Sequence, residues 1–142
     1  MSKRDAVIAA AHSWIKTPYH SRAHVKGHGV DCGWLLIEVY AEAGVIEPFD
    51  PGEYAPNWHL HRSAEMYLDH ILTHGAEEIE RDALQPGDII VVKFGRTYSH
   101  GAIYIGDGNI IHAYVGRPVD VAELNEFIDR PKKYYRVKGI EQ

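Results

Sequence analysis

The chain has one cysteine, Cys32, in 142 residues, so an intramolecular disulfide is excluded and cysteine usage does not report a redox compartment. It has no excess of positive charge. Fifteen Lys and Arg stand against twenty Asp and Glu, a formal charge of -5, and no stretch gathers the basic residues that a nucleic-acid face needs. It has no apolar run long enough to span a bilayer. The N-terminal stretch MSKRDAVIAAAHSWIK starts basic and then turns apolar, as a secretory leader does, but Asp5, His12 and Lys16 interrupt it. The expectation is a chain made in the cytoplasm without an export signal of its own, with neither nucleic acid nor membrane as a partner. No internal repeat, low-complexity tract or linker divides the sequence, and its length suits one domain over residues 1–142. Histidine is plentiful: ten residues, which make charge and stability responsive to pH between about 5 and 8.

The hydrophobic period changes halfway along the chain. Over residues 3–16, Val7, Ile8, Ala11, Trp14 and Ile15 fall on one helical face, and Thr17-Pro18 stops the pattern. From Asp31, a good N-cap residue, Leu35, Leu36, Val39, Tyr40 and Ala43 recur at helical spacing until Gly44. A third helix is expected from about Asn57 to His74. Beyond it, Gln85-Pro86-Gly87-Asp88 is a turn signal ahead of the apolar run Ile89–Val92. The segments His100–Ile105 and Asn109–Val115 flank Gly106-Asp107-Gly108 as a hairpin, and a last strand is expected near Tyr134–Lys138. Helices followed by an antiparallel sheet predict an α+β fold.

Cys32 follows the proposed N-cap directly, in the first turn of the second helix. Free backbone N–H groups and the positive end of the helix dipole favour a thiolate there, and a histidine nearby lowers a cysteine pKa further. The same N–H groups suit the oxyanion of acyl transfer. A lone cysteine is also commonly a small buried hydrophobe, and position alone does not separate the two.

The flanking residues do. Thr17-Pro18-Tyr19, Gly29-Val30-Asp31-Cys32 with Leu35, Leu84-Gln85-Pro86-Gly87-Asp88-Ile89-Ile90, and the stretch from Ser99-His100-Gly101-Ala102 to Ile111-His112-Ala113 resemble, in order, four elements of the NlpC/P60 family of cell-wall cysteine peptidases. The His-rich spacer from His20 to Gly29 is similar to that of the family's phage-tail branch. The resemblance implies a papain-like fold, with N-terminal helices packed on a central antiparallel sheet. It implies Cys32 as nucleophile, His100 as its base and His112 as the group that orients His100. Tyr19 and Asp31 fall on positions that line the acceptor side and hold the free amine of a peptide stem. The substrate it implies is a peptidoglycan stem peptide, cleaved between D-glutamate and a diamino acid, with no cofactor. Phage-tail proteins are the further partners that branch suggests, with a virion-associated location. One departure stands out: Gly33-Trp34 follows the cysteine where the family carries serine and glycine, which bears on specificity and sets Trp34 near the nucleophile.

For His100 and His112 to cooperate they must share a face of the sheet. A two-residue loop would pair Gly106 with Asn109 and set them on opposite faces. A three-residue loop, Gly106-Asp107-Gly108, would pair Ile105 with Asn109, place Ala102 opposite His112 and make the two histidines diagonal neighbours. The catalytic role therefore predicts the three-residue loop, with Gly101 and Ala102 small enough for the Cys32 helix to approach. Other readings stay open. His20, His24, His28 and Cys32 recur every four residues, but glycines and β-branched residues oppose a helix through them, and four such ligands would span about 18 Å; no metal site is expected. An amidase of the CHAP type and a tail-assembly protein built on an inactive peptidase fold share the same helix-cysteine, strand-histidine plan.

Overall fold

Ser2 opens the first helix, α1 (Lys3–Ser13), through a capping box in which its side chain accepts from Asp5 N–H and the Asp5 carboxylate accepts from Ser2 N–H. The structure, a computed structural model, describes residues 2–47, 72 and 75–141. The expected third helix, with its histidines His59, His61, His70 and His74, lies outside the described residues except for Leu72, as does the segment Pro48–Asn57.

Val7, Ala10, Ala11 and Trp14 bury the inner stripe of α1. The chain then turns at Lys16, whose φ of 79° is left-handed, and is pinned by bonds from Lys16 N–H to Val119 C=O and from Val119 N–H to Thr17 C=O, each 2.8 Å. The His-rich spacer holds a small hairpin, β1 (His24–Val25) with β2 (Gly29–Val30). Its turn is tied down by Gly27 N–H donating to Thr17 Oγ1 at 3.0 Å. A single parallel bridge joins Tyr19 to Val30, so Thr17-Pro18-Tyr19 runs beside the strand that leads into the next helix. That helix, α2 (Cys32–Glu42), is buried nearly all round and ends where Gly44 takes a φ of 76°.

The second half supplies β3 (Ala76–Ile79), β4 (Ile89–Phe94), β5 (Thr97–Gly106), β6 (Asn109–His112), β7 (Asp120–Glu123) and β8 (Lys132–Val137). They form one antiparallel sheet in the order β3-β8-β4-β5-β6-β7. The α+β, papain-like expectation holds; β3 and β7, both short edge strands rich in charge, carried no apolar pattern to reveal them. Alternate residues divide two cores. Ile89, Val91, Ile103, Ile111 and Val137 meet the helices, through Val7, Ala11, Leu35, Leu36, Val39 and Tyr40. Ile90, Val92, Ala102, Ile110 and Phe127 fill the other face. Among the described residues no helix is long and apolar enough to cross a membrane.

Candidate active site

Asp31 builds the start of α2. Its Oδ1 accepts from Trp34 N–H at 2.9 Å, and its Oδ2 accepts from Arg22 N–H at 2.7 Å, which fixes the loop ahead of the helix. This buried carboxyl is pushed up by desolvation, against backbone N–H bonds that pull it down. Asp31 is thus first a helix cap. Tyr19 lies in the electrostatic reach of both Asp31 and Cys32, and burial holds its phenol well above the usual tyrosine range.

The thiol meets the sheet at one place. Cys32 S–H donates to Ser99 C=O at 3.7 Å, and Gly101 N–H points at the sulfur from the other side of His100. Strand β6 ends at His112, so β5 has lost its ladder partner on that side from Gly101 back to Ser99. Strand backbone groups point in the plane of the sheet. The sulfur therefore fills the open edge of β5, level with the sheet, beside the residue that bears the His100 ring. Gly101, rather than Ala102, is the small residue met by Cys32; Ala102 belongs to the opposite face.

His100 and His112 share that opposite face, and His100 Nε2 lies 2.8 Å from His112 Nδ1. When His100 Nε2–H donates to His112 Nδ1, His100 Nδ1 is left as a basic nitrogen. The register that brings them together is not the three-residue loop expected. Asp107 and Gly108, with φ of 55° and 77°, make a two-residue turn, and Gly106 pairs with Asn109. A bulge then absorbs Ile105, so Tyr104 pairs with Ile110 and Ile103 with Ile111. Continued by one residue, this register sets Ala102 against His112. The extra residue sits in the strand instead of the loop, because Gly106 at φ 97° tolerates the kink. A second irregularity between Val92 and Lys93 leaves Ser99 as an extra residue in β5, and it is Ser99 whose carbonyl receives the thiol.

An aromatic box encloses the pair. Tyr114 stacks on His112 at 5.6 Å and 9°; Phe94 and Phe127 lie 5.8 and 5.6 Å from His100. Burial pushes His100 down to about 3, with His112 and Arg117 adding to the effect. Burial also pushes His112 down to about 4, with Arg117 adding to the fall while Glu126 and Asp120 oppose it. Burial pushes the Cys32 thiol up to about 12, with the Asp31 charge adding to the rise, against the N–H groups of Gly101 and Gly33 that lower it. The expected lowering of the thiol by the helix start is thus corrected: desolvation outweighs the helix terminus. Near neutral pH the site therefore holds a neutral thiol and a neutral imidazole pair.

A stability prediction follows for the histidines. Their folded pKa values are below the ordinary 6.5, so the unfolded chain binds protons first as the pH falls. Their contribution is complete above about pH 6.5 and is lost between there and about pH 4. In urea titrations at pH 7, 6, 5 and 4.5, wild type should lose stability faster than His112→Gln, by up to about 1.4 kcal/mol per pH unit. Parallel slopes for the two proteins would contradict a buried neutral His112.

Trp34 does not crowd the thiol, as its place in the sequence suggested. It is buried and stacks on the His24 ring at 3.7 Å and 10°, while His24 Nδ1 lies 3.0 Å from Glu38 Oε1 and Lys26 Nζ lies 2.8 Å from Glu42 Oε1. In this chain Trp34 anchors the β1–β2 hairpin to α2, and His24 is committed to that stack. Sequence reasoning missed the aromatic box and the Ser99 carbonyl. Phe94, Tyr114 and Phe127 come from three separate segments, and a bulge leaves no mark in residue identity.

A helix-borne cysteine set against a histidine-bearing strand, on helices packed against an antiparallel sheet, is the plan of the papain-like fold. The sequence profile of the NlpC/P60 family matches residues 16–136, and the chain belongs to that family. It is 32% identical over 123 residues to the probable endopeptidase Rv2190c of Mycobacterium tuberculosis, covering 86% of this chain and 26% of that protein. It is 36% identical over 87 residues to tail tip assembly protein K of Escherichia phage lambda, covering 60% and 42%. With the gamma-D-glutamyl-L-lysine dipeptidyl-peptidase of Bacillus cereus it shares 27% over 125 residues, covering 85% and 32%. The chain thus spans less than half the length of each of these relatives. Among solved structures, NlpC2 of Trichomonas vaginalis superposes with a TM-score of 0.70 at 19% identity, over 95% of this chain and 46% of that one. RipD of Mycobacterium tuberculosis, a non-catalytic NlpC/p60 domain protein, superposes at 0.62 and 20%, over 96% and 98%. These two likenesses speak to the fold.

Proposed function

We propose that this domain is a cysteine peptidase that hydrolyses an amide bond of peptidoglycan stem peptides, the bond between D-glutamate and a diamino acid. The observation that carries this is the Cys32 sulfur at the edge of β5 on either side of which Ser99 and Gly101 frame His100, itself bonded to His112 at 2.8 Å. Cys32 sulfur attacks the amide carbon as its proton passes to His100 Nδ1. The N–H groups at the start of α2 receive the oxyanion. His100 returns the proton to the leaving amine as the C–N bond breaks, leaving a thioester on Cys32. Water then attacks the thioester, His100 takes its proton and returns it to the thiolate, and a carboxylic acid departs. His112 accepts from His100 Nε2–H, fixes the tautomer and steadies the imidazolium as it forms. Tyr19 and Asp31, beside the thiol, present oxygen and negative potential to the stem's free amine. The peptidase names of the relatives support the substrate class, with the Bacillus cereus protein supporting the γ-D-glutamyl bond.

The test is digestion of purified cell-wall muropeptides, with products identified by mass spectrometry. New N-termini at the diamino acid are expected; products cut at another bond would refute the assignment of the scissile bond. The likeness to a phage tail tip assembly protein favours a second reading, in which tail proteins are the partners and the domain travels with the virion. That reading is compatible with catalysis, and with an inactive fold serving assembly if no bond is cut.

A further inference from the structure

We propose that Lys93 and Lys133, held over the ring of Tyr98 beside the active site, form a subsite for a carboxylate of the bound peptide. The inference rests on the peptidase reading above and adds what the substrate must carry. The Lys133 ammonium lies 4.5 Å from the centre of the Tyr98 ring and the Lys93 ammonium 5.8 Å from it. Lys93 pairs with Tyr98 across β4–β5, and Lys133 pairs with Val91 across β4–β8, so all three side chains stand on the helix side of the sheet. Tyr98 packs there against the core cluster that contains Cys32, and the next residue, Ser99, is the one whose carbonyl takes the Cys32 S–H. The two cations therefore stand on the helix face of the sheet, over the residue that precedes the Ser99 carbonyl.

Two like charges on one ring repel, and cation–π attraction offsets only part of this at a partly exposed site. Elsewhere four cations are matched with carboxylates: Arg4 and Arg136 with Asp88, Lys26 with Glu42, Arg117 with Glu126. Among the described residues neither Lys93 nor Lys133 has a carboxylate within 4 Å, and neither ammonium donates a hydrogen bond. Each ammonium has three donors, so the pair can receive one carboxylate between them and relieve its own repulsion. The half-buried Tyr19 phenol, within electrostatic reach of Cys32 and Asp31, offers an oxygen to an amine. A peptide with an amine at one end and a carboxylate beyond the scissile bond matches both.

The test compares a stem peptide ending in a free carboxylate with its carboxamide, using wild type, the double variant Lys93→Gln/Lys133→Gln, and Lys138→Gln, just past the far end of β8, as a charge control. Wild type should prefer the carboxylate about three- to tenfold in kcat/KM, through KM, with the preference shrinking as salt is added. The double variant should lose the preference while cleaving the carboxamide as wild type does, and Lys138→Gln should keep it. A preference that survives in the double variant, or its absence in wild type, overturns the subsite. If wild type cleaves neither peptide, the peptidase reading fails by itself. Calorimetric binding of the same two peptides to Cys32→Ala then decides the subsite: a carboxylate preference abolished with the lysines upholds it, and equal affinities overturn it.

Discussion

His100→Ala should lower kcat/KM for stem-peptide hydrolysis by about 100- to 10,000-fold, the range a positioned general base contributes. Nearly all of the loss should fall on kcat, because the proposed role of the imidazole is to move a proton, not to hold the substrate. The site enlarges this expectation. The Cys32 thiol is pushed up to about 12 by burial, so little thiolate stands ready without a base at the moment of attack. His100→Gln, close in volume, separates chemistry from packing: it should lose activity as fully as alanine while unfolding closer to wild type. His112→Ala should cost less, because His112 acts through His100. Comparable rates for wild type and His100→Gln would exclude His100 as the base.

The second large effect is on stability. Asp88 is fully buried and receives Arg4 Nη1 at 3.2 Å and Arg136 Nη2 at 2.9 Å, while its Oδ2 also accepts from Gln85 N–H at 2.9 Å. Arg4 lies on α1, Arg136 on β8 and Asp88 at the start of β4, so one carboxylate ties the first helix to the sheet. Glu141 also pairs with Arg4, and Tyr40 O–H donates to Gly87 C=O at 2.6 Å close by. Asp88→Ala removes the buried carboxylate that both guanidinium groups share, leaving Arg4 with Glu141 and the Pro86 carbonyl and Arg136 with the Ala83 carbonyl, a change that costs about 3–5 kcal/mol. For a domain of this size that is a fall in Tm of roughly 10–20 °C. No part of this knot touches Cys32 or the histidines, so below its melting range the variant should keep the wild-type kcat. A loss under about 1 kcal/mol in urea titration would show that the knot is not the bolt described here.

Both predictions indicate what the amino-acid order discloses. Pro86-Gly87-Asp88 reads at once as a turn, since Gly87 takes a φ of 100° that few other residues accept. That Asp88 is also an ion-pair centre does not read, because Arg4 and Arg136 are 132 positions apart and no local pattern joins them. The two central helices, β4 and the hairpin were legible from period and caps. The edges β3 and β7 were not, for each has four residues, half of them charged, and no run of buried apolar positions. Short motifs single out Cys32, His100 and His112 as candidates, and the structure sets His100 within hydrogen-bonding distance of His112. Their geometry was not legible: the expected three-residue loop is a two-residue turn, and the bulge at Ile105 restores the register that the histidine pair needs. The state of the thiol was misjudged for a similar reason, since a helix start is visible in sequence and the depth at which it is buried is not.

The most direct test of the account is hydrolysis of a defined γ-D-glutamyl stem peptide by wild type and by Cys32→Ala, with the acid-quenched wild-type protein weighed intact during turnover. Release of the diamino acid portion by wild type alone, with an acyl adduct on Cys32, is the predicted result. Equal cleavage by Cys32→Ala, or turnover with no covalent dependence on Cys32, would contradict it.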